Sequence, residues 1–240
     1  MPENDFSDIG ERLERVREHI ETACARAGRK SADVTLIGVS KTFPLEAVHA
    51  AREAGLVHFG ENRVQDLVQK AKRLPGECRG GEVFWYMIGH LQRNKARDVV
   101  EHADFFQALD SYRLAEELNR RAEQRERILP CLVEVHISAE ESKFGVKPEA
   151  THELLDSLGE FPNLRVEGLM TIASFVDDPA QIRSEFRLVR KLFDSYQSSV
   201  NPRVEMKQLS MGMSGDFEIA IEEGATHVRI GSAIFGSRGR

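Results

Sequence analysis

A lysine that directly follows an apolar run is the first residue whose type and position suggest chemistry. Residues 34–39 are mostly apolar and β-branched, and Ser40, Lys41 and Thr42 come next. A lysine at the end of a buried strand is partly withdrawn from water, which disfavours its charged form and raises its nucleophilicity. Lys41 is therefore a candidate for a Schiff-base lysine, and the alternative is an ordinary surface lysine in a loop.

A glycine-containing loop near the end of the sequence has the pattern of an anion-binding site. Residues 210–216 read Ser-Met-Gly-Met-Ser-Gly-Asp and precede a helix pattern. Backbone N–H groups at a helix N-terminus bind anions, and glycine lets the backbone approach closely. Ser214 could instead be only the helix N-cap. Asp216 would repel a phosphate unless its side chain points away.

The next apolar run, residues 226–230, ends in residues that extend this site. Arg229 supplies a cation, Gly231 another glycine and Ser232 a hydroxyl. Lys41 and the anion site together suit a ligand that carries both an aldehyde and a phosphate. Pyridoxal 5′-phosphate (PLP) is such a ligand, and a phosphorylated sugar in a Schiff-base aldolase is the alternative.

Polar residues also follow other apolar runs. Asn62, which comes soon after residues 57–59, could orient a ligand or merely cap the next helix. Five further candidates, each of which could equally serve packing or a solvated loop, are His90, Asn94, Lys143, Met170 and Thr171.

Eight apolar runs alternate with amphipathic helix patterns along the chain. The runs cover residues 34–39, 57–59, 83–88, 103–109, 131–137, 164–171, 204–209 and 226–230. This alternation predicts parallel βαβ units of the α/β class, and the count favours a (β/α)₈ TIM barrel over an open doubly wound sheet. In such a barrel the reacting groups gather at the carboxyl ends of the strands, and phosphate often binds after strands seven and eight.

An additional helix is predicted before the first strand, because apolar residues recur every three or four positions from Ile9 to Ala27. The chain ends soon after the eighth strand, so we expect this helix to cover surface that an eighth outer helix would otherwise cover. No linker or shift in composition divides the sequence, and residues 1–240 are expected to form one domain.

Composition restricts the classes of function. The net charge of −6 among 240 residues predicts no general attraction to nucleic acid or anionic membranes. The sequence has neither a run of ~20 apolar residues nor a signal-peptide pattern. Cys24, Cys78 and Cys131 are widely spaced, which predicts neither disulfides nor a metal site and fits a reducing cytoplasm.

Seven sequence blocks together resemble the pyridoxal phosphate homeostasis proteins, also called PLP-binding proteins. The blocks occur in the same order as in that family and span nearly the whole chain. A joint match to several blocks is more specific than a match to any one of them. The blocks are residues 36–42, 58–62, 88–95, 142–145, 168–170, 209–214 and 228–231.

The resemblance implies a barrel like the N-terminal domain of alanine racemase, with PLP held as an internal aldimine on Lys41. It implies that Arg229 faces the pyridine nitrogen and that Asn62 lies near the ring. Met211 is also expected among the cofactor-binding residues. The phosphate would be held by Ser214, Gly215, Gly231 and Ser232. Many relatives carry threonine at the position of Ser232, and the hydroxyl is kept.

The implied function is that of a monomeric PLP carrier or buffer in vitamin B6 and amino-acid balance, with apo PLP-dependent enzymes as expected recipients. Arg229 cannot accept a proton, so the ring nitrogen would be a weak electron sink and strong catalysis is not expected. The alternative is an amino-acid racemase, which needs a second acid or base on the other face of the ring. The three tyrosines, Tyr86, Tyr112 and Tyr196, lie within strand or helix patterns.

Overall fold

Eight parallel strands form a closed barrel in the computed structural model, which describes residues 6–137, 144–197 and 201–236. The strands are β1 Thr35–Val39, β2 His58–Glu61, β3 Phe84–Met87, β4 Phe105–Leu109, β5 Leu129–Val135, β6 Leu164–Thr171, β7 Val204–Ser210 and β8 His227–Ile230. Each strand pairs with the next in the sequence, and β8 pairs with β1, with Gly38 opposite Ile230. The predicted (β/α)₈ TIM barrel is confirmed, and the open sheet is excluded.

Helices surround the barrel. They are α1 Ile9–Arg26, α2 Leu45–Glu53, α3 Val64–Arg73, α4 Ala96–His102, α5 Tyr112–Glu123, α6 Thr151–Ser157, α7 Pro179–Tyr196, α8 Phe217–Glu222 and α9 Ser232–Phe235. Every residue of β4 and of β8 is buried. Strands of a parallel sheet are covered on both faces, which explains why the sequence shows continuous apolar runs rather than alternation. Within the described residues, no helix combines the length and the apolarity needed to cross a bilayer.

The N-terminal helix α1 covers the barrel as predicted. It packs against α2, α8 and α9, and its apolar face is buried, with Leu13 fully inaccessible and Val16 nearly so. The helix after β8 is the four-residue α9, so α1 covers surface that so short a helix leaves open.

The structure extends β2 beyond its predicted end. The apolar pattern stops at Phe59, but the strand continues to Glu61, whose side chain is fully buried. The extension was not predicted because Glu61 reads as a loop residue in the sequence, whereas its carboxylate is paired with Lys70 inside the protein.

We expect Leu13→Ala to lower the free energy of unfolding by about 2–5 kcal/mol, because the substitution leaves a cavity under α1. Urea denaturation followed by circular dichroism measures the loss. Arg15→Ala, on the exposed face of the same helix, is the control and should change stability by no more than ~0.5 kcal/mol. Equal losses in the two variants would show that α1 is not packed on the barrel.

Candidate functional site

A cavity of about 580 Å³ lies at the carboxyl ends of the strands. Its volume falls within the ~300–1,000 Å³ of typical small-molecule sites. Seven of the eight predicted cofactor-binding residues line it: Lys41, Asn62, Ser214, Gly215, Arg229, Gly231 and Ser232. The apolar part of the wall is formed by Val39, Phe43, Ile88, Ile172, Phe175 and Met213. The barrel thus brings the predicted lysine and the predicted anion-binding residues to one place.

Lys41 is held in a tight turn at the end of β1. The Ser40 N–H donates to the Gly60 carbonyl of β2 at 3.1 Å, and the Phe43 N–H then donates back to the Ser40 carbonyl at 3.0 Å. Thr42 completes the turn with φ = 68°, a left-handed conformation that β-branched residues rarely adopt. Lys41 is half-buried, and its side chain lines the cavity.

Two backbone N–H groups after β8 converge on one oxygen. The amides of Gly231 and Ala233 donate to Ser214 Oγ at 3.3 and 3.4 Å. These distances are long for a hydroxyl acceptor, and a charged phosphate oxygen accepts such bonds more strongly. The arrangement therefore fits an anion between the loops that follow β7 and β8.

The conformation of the loop after β7 is compatible with an anion beside Ser214. Ser214 is not the N-cap of α8, because Asp216 occupies that place. The Asp216 carboxylate accepts the Met213 N–H and does not line the cavity, which removes the conflict that its charge posed for a bound phosphate. Gly212 has φ = 96°, and a Cβ there would lie 2.7 Å from the Ala220 Cβ, so only glycine fits.

Arg229 is fixed at the base of the cavity by neighbouring strands. Its side chain is 3% exposed, with Nη1 donating to Ser210 Oγ and Nη2 to the Thr171 carbonyl, both at 2.7 Å. Ser210 Oγ in turn donates to Gln107 Oε1 at 2.9 Å. Burial lowers the pKa of Arg229 to about 10, although Glu134 opposes the shift. The guanidinium therefore stays charged at neutral pH.

Glu134 is a buried acid that sequence reasoning missed. It lies in β5, is 8% exposed, and its Oε2 has no hydrogen-bond partner within the described part of the chain. Burial raises the pKa of Glu134 to about 7, and the charge of Arg229 works against this rise. The available signal was a lone acid between Val133 and Val135 in an apolar run.

Three predicted residues are buried and do not line the cavity. Met211 is fully buried, and its N–H donates to the His227 carbonyl at 3.1 Å, so its backbone anchors the loop. Met170 is also fully buried. Thr171 is buried as well and contributes its carbonyl to Arg229.

The loop candidates after β3 do not line the cavity either. His90 is exposed, with Nδ1 3.2 Å from Asp110 Oδ2 and its ring stacked on Phe144 at 3.5 Å between centroids. Asn94 is exposed and outside the cavity wall. Lys143 lies outside the described residues.

The apolar wall was not predicted, although each of its residues follows or ends a strand. Ile88 comes after β3, Ile172 after β6 and Met213 in the loop after β7. Phe175 lies at the rim and is fully exposed. The usable signal was an apolar residue directly beyond a strand end, where solvent exposure is otherwise expected.

We expect Glu134→Gln to flatten part of the pH dependence of stability. The folded-state pKa of about 7 lies above the ordinary glutamate pKa of 4.5, so the native state binds more protons and loses stability as pH rises through this range. The variant cannot ionise there and should avoid a loss of about 3 kcal/mol between pH 4.5 and 8. Urea denaturation of both proteins at the two pH values measures the difference, and parallel pH profiles would contradict the assignment.

Comparison with known proteins shows the family of the chain. The model of the family described as alanine racemase, N-terminal domain, matches residues 12–239. A protein of Aquifex aeolicus named pyridoxal phosphate homeostasis protein is 43% identical over 228 residues, which cover 95% of this chain and 97% of that protein.

Solved structures share the barrel. PipY from Synechococcus elongatus, solved with PLP bound, has a TM-score of 0.82 at 34% identity and covers 95% of this chain and 100% of its own. An alanine racemase of Corynebacterium glutamicum, at 13% identity and a TM-score of 0.68, covers 94% of this chain and 62% of its own, and shows the fold alone. The chain belongs to the pyridoxal phosphate homeostasis protein family and carries the fold of the alanine racemase N-terminal domain.

Proposed function

We propose that this protein binds PLP through a Schiff base to Lys41 and serves as a carrier or buffer of the cofactor. The observation that carries the proposal is that Lys41 lines the same cavity as Ser214 and Gly231, the residues to which we assign anion binding. PLP has an aldehyde for the amine and a phosphate for the anion site. The PLP bound to PipY and the name of the Aquifex relative support the same ligand, and neither supports a sugar aldolase.

The covalent bond forms by condensation. The Lys41 amine adds to the aldehyde carbon, a C=N bond forms, and the aldehyde oxygen leaves as water. Val39 and Phe43, on either side of Lys41 in the sequence, contribute apolar surface to the cavity wall and limit the access of water to this bond.

The phosphate is held where the loops after β7 and β8 meet. Ser214, Gly215, Gly231 and Ser232 are its proposed contacts. The amides that now share Ser214 Oγ are free to donate to phosphate oxygens once that hydroxyl turns away. Anion binding by converging backbone N–H groups requires no further cation.

Arg229 restrains the chemistry of the bound cofactor in this proposal. Its guanidinium faces the pyridine nitrogen, and Asn62 lies near the ring. Because arginine has only donors, the ring nitrogen receives a hydrogen bond but no proton. An unprotonated ring is a weak electron sink, which favours storage and release to apo-enzymes over carbanion chemistry.

A racemase finds less support, because racemisation needs an acid or base on each face of the ring. No tyrosine of the described chain lines the cavity. Tyr86 is buried, with its hydroxyl 3.1 Å from His58 Nδ1, and burial raises its pKa. Lys41 therefore has no tyrosine partner in the cavity.

Lys41→Ala should abolish the visible absorption band that PLP gives as a protein-bound Schiff base. The reason is that the variant has no amine at the cavity wall. Absorption spectra of the two proteins after PLP addition and gel filtration make the comparison. Lys95→Ala is the matched control, because Lys95 is also half-buried but does not line the cavity, and it should keep the band. An unchanged band in Lys41→Ala would remove Lys41 from the proposal.

The protein loaded with PLP should not interconvert D- and L-alanine at ordinary enzymatic rates of ~1–10³ s⁻¹. Chiral chromatography of alanine incubated with the PLP-loaded protein gives the rate, with an authentic alanine racemase as the positive control. Turnover within that range would favour the racemase over the carrier.

A further inference from the structure

A buried ion pair lies next to the turn that carries Lys41. The Lys70 side chain on α3 is 7% exposed and that of Glu61 on β2 is inaccessible, with Lys70 Nζ 2.5 Å from Glu61 Oε1. In each of the other ion pairs among the described residues, at least one side chain is 29% or more exposed. Removing two charges from water is costly, and an apolar pair of similar volume often serves stability equally well. The pair therefore calls for a role besides stability.

The ion pair is hydrogen-bonded to the residue that precedes Lys41. Lys70 Nζ donates to the Ser40 carbonyl at 2.8 Å, and this carbonyl belongs to the peptide bond between Ser40 and Lys41. Ser40 Oγ donates to Glu61 Oε1 at 2.6 Å. Ser40 is thus held through its carbonyl and its hydroxyl, which fixes the direction in which the chain enters Lys41.

The turn needs such support because its geometry is strained. The Ser40 carbonyl also accepts the Phe43 N–H, and Thr42 between them has φ = 68°. Glycine normally supplies a positive φ at the third residue of a turn, and other residues keep it only where the surroundings over-determine it. The Lys70 ammonium is a second donor on the carbonyl that closes the turn.

The network is not arranged for maximal stability. Glu61 Oε2 has no hydrogen-bond partner among the described residues although the side chain is inaccessible. Burial raises the pKa of Glu61, and Lys70 and Ser40 oppose this rise. Glu61 adjoins the proposed site in sequence, since Asn62 follows it directly and lines the cavity, and Lys70 is linked to the site through the Ser40 carbonyl.

We propose that Glu61 and Lys70 are positioning residues that orient Lys41 for its reaction with the aldehyde. The inference rests on the proposed function, since it concerns the Schiff base at Lys41. The pair contacts neither the cavity nor the reacting atoms and acts through the Ser40 peptide group. Loss of the pair frees the turn, so that the amine samples orientations that are unproductive for condensation.

Stopped-flow absorbance after mixing with PLP measures the rate of Schiff-base formation in three variants. Lys70→Met removes the ammonium, Glu61→Met/Lys70→Met replaces the whole pair by apolar side chains, and Ser40→Ala removes one hydroxyl. We expect the methionine variants to form the bond about 10- to 100-fold more slowly, as displacement of a reacting group predicts, and Ser40→Ala to be slowed less. Lys72→Met, which removes an exposed lysine of the same helix, should react at the parental rate.

The double variant separates positioning from stability. Replacing both partners should restore the midpoint of urea unfolding relative to Lys70→Met, because no unpaired charge stays buried. If the pair positions Lys41, condensation remains slow in this stable double variant. Only variants whose circular dichroism matches the parent are compared, and parental rates in every folded variant would overturn the proposal.

Peptide mapping after borohydride reduction keeps the two proposals apart. In the parent the reduced pyridoxyl group should be on Lys41 and not on Lys70. A parent without label on Lys41 contradicts the proposed function itself, whereas a labelled parent with equally fast variants contradicts only the positioning role.

Discussion

Closure of the barrel is the constraint on which the site depends. β8 pairs with β1, where Ile37 lies opposite Arg229, and with β7, where Ser210 lies opposite His227. These pairings make neighbours of loops that are about 190 residues apart in the sequence. Lys41 and Gly231 line one cavity for this reason, and an open sheet with β1 and β8 apart would leave the amine far from the residues proposed to bind the anion.

Polar groups inside an otherwise apolar barrel define the base of the cavity. Arg229 is held by Ser210 and by the Thr171 carbonyl, and Glu134 lies close enough to affect its pKa. Unpartnered atoms at Glu134 Oε2 and Gln107 Nε2, counted among the described residues, show that this arrangement is costly. A core selected only for stability would be apolar here. The buried polar network around Arg229 is therefore better explained by the needs of the candidate binding site.

Much of the fold was predictable from the sequence, because strands covered on both faces give apolar runs that are easy to recognise. The candidate site followed from position, since any residue just beyond a strand of such a barrel lies at the same end. Met211 lies just beyond β7 but does not line the cavity, since its side chain is fully buried and its N–H is bonded to the His227 carbonyl. The roles of Glu61 and Glu134 were not predicted, because Glu61 reads as a loop residue and Glu134 as an isolated acid in an apolar run. Only the fold shows that Glu61 pairs with Lys70 and that Glu134 lies near the charge of Arg229.

The central claim is that one covalent bond and one anion site share the cavity at the mouth of the barrel. A crystal structure of the protein prepared with PLP tests it most directly. The account predicts continuous electron density from Lys41 Nζ into the cofactor, with the phosphate within hydrogen-bonding distance of the Gly231 and Ala233 amides. Density for PLP elsewhere, or a Lys41 amine directed into bulk solvent with the cofactor present, would contradict it.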